Sequence, residues 1–375
     1  MRKIVIIFFS FILLLEGLNN QEPNFNKEKL KKKEKENESD SIKSPIPINV
    51  IFMLPLFFSY TDINNKRLSD QALSFYSGAK IAVDFLNPQQ KINMKIFDTK
   101  NEKKRIINFI HSYNLSKIHA IIGPFFRSSL EELAINNKKI PIISPFISSD
   151  SLNSYPNIVQ AEVKDIHLAE PILEEIKIGY KKKKIKTLYI FGEDPSKKII
   201  SFIQKKLLQW NLNFQVFHFK NDFSHTFIKK TPFFVIFLGE NFSLGKKFID
   251  FIKKFTNKKI IPFGIGYNNV YYKNISLLKE YKFLFTTKYH FNNDDENKRK
   301  MFFLLKKKLG SHLNKYQLLG FDLSYDILCR LIENKNLLKI IDKKNFSGLI
   351  SKYQYEKISD QEGYINKGLW IIRLH

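Results

Sequence analysis

Cysteine is almost missing from this chain: Cys329 is the only one in 375 residues. That excludes an intramolecular disulfide and any cysteine-based metal centre. In the stretch YDILCRLI it falls within an amphipathic helical pattern, the usual setting of a small buried hydrophobe. The eight histidines contain no HExxH pair, so no metal and no cofactor are implied. GxSxG, a phosphate loop and triad spacing are missing too, and Gly264-x-Gly266 lacks the third glycine and following helix of a dinucleotide loop. An enzyme is not expected. The apolar run Ile4–Leu15 is too short to cross a bilayer as a helix. Acid is scarce: 36 Asp and Glu face 62 Lys and Arg, a net charge of +26. Such a balance can serve nucleic acid or an anionic membrane. Here the excess is mostly Lys, spread over the whole chain beside abundant Asn, Ile and Phe, the mark of AT-rich codon usage. Nucleic-acid readers rely instead on Arg for bidentate contacts, and no nucleic-acid partner is expected.

Arg2-Lys3 ahead of Ile4–Leu15 fits a secretory signal peptide, so residues 1–20 read as a signal or short anchor. The expected place is the periplasm or cell envelope, with membrane contact at most through that segment. Residues 21–46, rich in Lys, Glu, Asn and Ser, bury too little to fold and read as a charged, disordered linker.

From Pro47 strands and helices alternate, and 375 residues exceed what one core usually serves. The expectation is an α/β protein of two doubly wound lobes with mostly parallel sheets. Residues 47–150 plus roughly 310–375 would form one lobe and 151–309 the other. The chain would cross near Ser149–Asp165, near Gly266–Tyr281, and again before a last strand in Gly368–Leu374. The stretch Ala120–Phe146 is the clearest piece. Ala120–Ile122 is a strand broken by Gly123-Pro124, Ser128 with Glu131 forms a capping box that starts a helix, and Ile140–Ser144 is a second strand stopped by Pro145. Helix-joined strands are usually parallel, so the loops after Ile122 and Ser144 share the carboxyl edge of the sheet, where open α/β sheets hold ligands. Ser128 reads as a cap or a ligand donor. Arg127 reads as a carboxylate clamp or an exposed cation. Asp98 and Asp84 read as catalytic carboxylates or as structural groups, Asp98 ending a strand by bonding nearby backbone and Asp84 facing solvent or pairing locally, and the run Lys181–Lys184 reads as a solvated turn.

Phe75-Tyr76-Ser77-Gly78-Ala79, Asp98-Thr99, Ile122-Gly123-Pro124 with Ser128-Ser129, and Pro141–Pro145 together resemble the type I periplasmic binding proteins. The likeness extends weakly to the C-terminus through Gly320-Phe321-Asp322. It is strongest toward Bacteroidetes envelope proteins that join this domain to LysM repeats, although no LysM repeat is present. The resemblance implies a small polar, amino-acid-like ligand trapped between the lobes and handed to an ABC permease. It places that ligand on Phe126, Arg127, Ser128 and Ser129, on Phe146, Ser148 and Ser149, and on Glu240 and Tyr267 from the second lobe. Bulky Phe125, Phe126 and Phe146 crowd the first-lobe loops, which leaves an alternative: a ligand-free envelope scaffold contacting peptidoglycan or its synthesis machinery.

Overall fold

The computed structural model describes residues 46–58, 63–183, 185, 187–192, 198–218, 232–255, 260–291 and 295–375. The signal segment, nearly all of the charged linker, Lys184 and the loop 193–195 lie outside the described residues.

Runs of β-branched and aromatic residues form two parallel-dominated sheets. The first holds β1 (Ile48–Leu54), β2 (Ile92–Asp98), β3 (Ala120–Ile122), β4 (Ile142–Ser144) and β5 (Ile158–Gln160), with β13 (Tyr355–Lys357) and β14 (Tyr364–Asn366) added from the far end of the chain. Its order is β13-β14-β5-β4-β3-β1-β2. β1 is apolar along nearly its whole length because both faces are covered. Phe52 faces α1 (Ile63–Leu86), α9 (Glu296–Leu309) and α10 (Lys315–Glu333), whereas Ile51 and Met53 face α2 (Lys103–Ser112) and α3 (Arg127–Asn136).

The second sheet holds β6 (Thr187–Gly192), β7 (Asn213–His218), β8 (Phe233–Leu238), β9 (Ile260–Ile265), β10 (Leu284–Thr287) and β15 (Trp370–Arg373), in the order β15-β10-β9-β8-β6-β7. All its pairings are parallel except β10 with β15. Ile190 and Ile236 pack toward α4 (Asp165–Lys183) and α5 (Lys198–Gln209). Phe191 and Phe237 pack toward α6 (Phe242–Lys253), α7 (Asn269–Lys273) and α8 (Ile275–Glu280). A short hairpin, β11 (Phe346–Ser347) with β12 (Lys352–Tyr353), stands apart from both sheets. The fold is thus α/β, with mostly parallel sheets wound by helices on both faces. No helix among the described residues is long and apolar enough to cross a membrane.

In the first lobe, α1 and α10 cross backbone to backbone. A Cβ at Gly320 would fall onto the carbonyl of Phe75, 2.7 Å from its carbon, and one at Gly78 would lie 2.8 Å from the carbonyl carbon of Gln317. Gly123, at φ +94°, ends β3 with a Cβ position only 3.2 Å from the carbonyl carbon of Met53, so this turn tolerates no side chain.

The chain passes between the sheets three times: after β5, after β10 and after β14. The second passage differs from the expected Gly266–Tyr281. Those residues stay in the second lobe as the short helices α7 and α8, and the chain leaves the second sheet only after β10 ends at Thr287. Consequently α9 packs with α1 and contributes Leu305 to the first lobe's core. Two local expectations also change. Most of the run Lys181–Lys184 continues α4 rather than turning, and Ser128 lies inside α3 rather than capping it.

Candidate ligand-binding cleft

The carboxyl edge of the first sheet carries the seven residues expected from the first lobe. α3 begins at Arg127 with Phe126 as its N-cap, two residues before the Ser128 of the capping-box reading, and Phe126 offers no side-chain hydrogen bond. Ser128 is therefore inside the first turn and solvent-exposed. Glu131 does not reach back to the helix start. It accepts a 2.8 Å hydrogen bond from Ser151 Oγ and lies 3.7 Å from Arg127 Nε. Arg127 is 61% exposed and makes only a loose ion pair within its own helix. Ser129 is buried, with Oγ 3.5 Å from Asn101 Oδ1. Ser149 donates its N–H to Gln160 Oε1, and Ser148 Oγ is buried without a partner. Phe146 packs edge-on against Phe125, Phe75 and Tyr316, with ring centroids 4.7, 5.4 and 5.7 Å away. Aromatic rings thus occupy the ground above β3 and β4. Asp98, by contrast, plays the backbone role expected, its Oδ1 accepting N–H groups from Leu56, Phe57 and Lys100. Asp84 pairs with Lys80 one turn away.

An open cleft of about 550 Å³ lies beside the passages between the lobes. It is lined by Glu240 and Tyr267, two of the expected residues, together with Leu168, Gly266 and Asn269 of the second lobe. Glu162 from the first passage, Thr287 at the end of β10, Lys288 and Tyr289 from the second passage, and Lys315 at the start of α10 complete the wall. None of the seven first-lobe candidates lines it.

The floor is a satisfied ionic network. Glu162 accepts from Lys288 Nζ at 2.8 Å and from the Tyr289 hydroxyl, and Lys288 also meets Asp165 at 2.8 Å. Partial burial works against the Lys288 charge, yet the carboxylates of Glu162 and Asp165 hold its pKa above the usual lysine value. Burial, aided by Glu162, raises the Tyr289 phenol well above its ordinary range. Lys315 and Glu240 differ. Neither forms an ion pair or hydrogen bond with another described residue, although Lys315 Nζ sits 4.1 Å from the Tyr289 ring centroid. Desolvation lowers the Lys315 pKa, opposed by the more distant carboxylates of Glu162 and Glu240. The cleft therefore offers one cation from the first lobe and one carboxylate from the second with hydrogen-bonding capacity to spare. Sequence reading missed Glu162, Lys288, Tyr289 and Lys315, because nothing local marks them as neighbours.

The sequence matches no protein family and no curated protein. Solved structures do match. An ABC transporter substrate-binding protein from Desulfitobacterium hafniense, solved with Leu, is 13% identical at a TM-score of 0.51, covering 88% of this chain and 98% of its own. A branched chain amino acid ABC transporter periplasmic ligand-binding protein from Burkholderia xenovorans is 10% identical at a TM-score of 0.53, covering 87% and 90%. LpoA from Haemophilus influenzae is 10% identical at a TM-score of 0.58, covering 89% of this chain and 59% of its own. At such identities the likeness is one of architecture, and it agrees with the strand order and the three passages: this chain has the fold of the type I periplasmic binding proteins.

Proposed function

We propose that this chain is an exported, non-enzymatic solute-binding protein that closes its two lobes over a small polar, amino-acid-like ligand for an ABC-type transporter. The observation that carries the reading is the pair of unengaged ions, Lys315 and Glu240, presented by different lobes to one cleft. A zwitterion satisfies both and is bound only when the lobes are together, which is what hinge closure requires. The expected anchor moves accordingly from the Arg127–Ser129 loop to Lys315. A thermal-shift screen of the chain from Pro47 onward, against amino acids, short peptides and muropeptides, tests this. A ligand at a hundredfold above its Kd adds about 2.7 kcal/mol of stability. Lys315→Ala removes a charge-assisted contact of roughly 1.5–3 kcal/mol and weakens binding about tenfold to a hundredfold. Arg127→Ala leaves affinity nearly unchanged. A screen without any shift, or an Arg127 effect larger than that of Lys315, refutes the assignment.

One observation favours a second reading. The Phe75, Phe125, Phe146 and Tyr316 cluster fills the edge of the first sheet that its loops would otherwise offer to a ligand. A ligand-free envelope scaffold contacting peptidoglycan, in the manner implied by the resemblance to LysM-linked proteins, needs no such opening. Co-sedimentation with purified peptidoglycan alongside a silent ligand screen is the result that selects it.

A further inference from the structure

Beside the cleft, the second lobe leaves three aromatic side chains exposed on one rim: Phe242 at 36%, Tyr267 at 39% and Tyr272 at 38%. Tyr267 lines the cleft itself, and its ring lies 6.2 Å from that of Tyr272. The Tyr272 ring continues toward the second passage, lying nearly parallel to the His290 ring 6.2 Å away. Lys273 and Lys246 hold their ammonium groups 4.4 and 4.8 Å from the centre of the Phe242 ring. Large rings left open to water are costly to maintain and mark contact surfaces. Two ammonium groups over the Phe242 ring and the Tyr267 hydroxyl bonded to Asn269 give the apolar faces here a polar edge. This surface is amphipathic: flat apolar faces edged by hydrogen-bonding groups. Asn269, whose Oδ1 already accepts from the Tyr267 hydroxyl at 2.8 Å, still has its amide N–H groups to offer toward the cleft it lines.

We infer that the Tyr267 and Tyr272 rim is a subsite for a pyranose ring, so that the ligand is a sugar bearing both an ammonium and a carboxylate rather than a free amino acid. A pyranose has the matching character, with C–H groups on its faces to lie on the tyrosine rings and hydroxyls at its edge for Asn269 and the phenols. Its two charged substituents would reach Lys315 and Glu240. This rests on the solute-binding reading above and narrows its ligand. A free amino acid satisfies the two ions but leaves the aromatic rim uncovered.

Isothermal titration with three probes separates the two levels. Muramic acid is a pyranose with an amine and a carboxylate, alanine carries the charges without the ring, and methyl glucoside carries the ring without the charges. The inference expects muramic acid to bind at least tenfold more tightly than alanine, with methyl glucoside weakest. Tyr272→Ala should weaken muramic acid about fivefold to tenfold, the range of an aromatic contact, while leaving alanine unchanged. Tyr272→Phe should retain the preference, because the ring face and not the hydroxyl does the stacking. Alanine bound as tightly as muramic acid overturns the sugar subsite and leaves the solute-binding reading standing. Equal losses for both probes in Tyr272→Ala assign the residue a merely structural role and overturn it too. No binding of muramic acid ends the inference outright, and if the wider ligand screen is also silent the reading beneath it falls as well.

Discussion

Replacing Gly320 with Ala sets two effects of opposite sign against each other. Mid-helix Gly→Ala ordinarily stabilises by about 1 kcal/mol, because the unfolded chain loses freedom it would otherwise surrender on folding. Here the added methyl would lie 2.7 Å from the Phe75 carbonyl carbon and 3.0 Å from its Cα. Carbon atoms rest at about 3.5–4.0 Å, so α1 and α10 must separate by about 1 Å. The obstacle is backbone, which cannot rotate out of the way. Separation also loosens fully buried neighbours, Phe75 and Phe321 among them. Overpacking costs typically 1–3 kcal/mol and more where relaxation is blocked, so sterics outweigh propensity and a net loss of about 2 kcal/mol is expected. Urea denaturation of Gly320→Ala, Gly78→Ala and the double variant provides the assay. Both substitutions push on the same crossing, so the double variant should lose clearly less than the sum of the singles. A Gly320→Ala protein as stable as the parent, or strictly additive losses, refutes the account.

Stability should also fall as pH rises between about 4 and 7 by a part traceable to two buried carboxyls of α10. Burial pushes Asp322 up to about 6 against the N–H groups of Ile350, Leu349 and Ser351, and pushes Asp326 up to about 7 against Arg330. A carboxyl with its folded pKa above the unfolded value contributes fully below the unfolded pKa and loses that contribution as pH climbs through the folded one. Denaturation at pH 4.5 and 7.5 should show Asp322→Asn losing on the order of 2 kcal/mol less over this interval than the parent; parallel profiles would disprove it. Glu162→Gln should weaken the tie between the first two passages by roughly 1.5–3 kcal/mol and accelerate hydrogen exchange at residues 288–291. Unaltered exchange there would mean the network does not restrain the hinge.

The alternation of β-branched runs with amphipathic stretches made the architecture legible from Pro47 onward, because buried parallel strands and their covering helices obey local periodicity. The stretch from Ala120 to Pro145 was read almost residue by residue. Two details differ: β4 begins at Ile142 rather than Ile140, and the Ser128-x-x-Glu131 pattern fits a helix start equally well when the cap lies two residues away. The second passage was misplaced because α7 and α8 are only five and six residues long, too short for a periodic signal. For the cleft, Glu240 and Tyr267, expected from the family pattern of second-lobe loops, do line it. Glu162, Lys288 and Lys315 were not, since each sits in a stretch that reads as ordinary surface until the passages bring them together. Lys288 and Glu162, for instance, meet across 126 residues. The close crossing at Gly78 and Gly320 was equally hidden, for a helical glycine in a sequence does not say which backbone it faces.

The last passage ties the two sheets to one short stretch of chain. Asn366 Nδ2 donates to Ala161 O across 205 residues, Trp370 Nε1 donates to Ile350 O, and β15 then closes the edge of the second sheet against β10. β13 and β14, which extend the first sheet, also come from the final stretch of the chain. Both sheets therefore wait for the stretch between Tyr355 and Arg373. In a nascent chain emerging at about 5–20 residues per second, neither sheet can be finished until these strands have emerged, and the two lobes mature together rather than in turn.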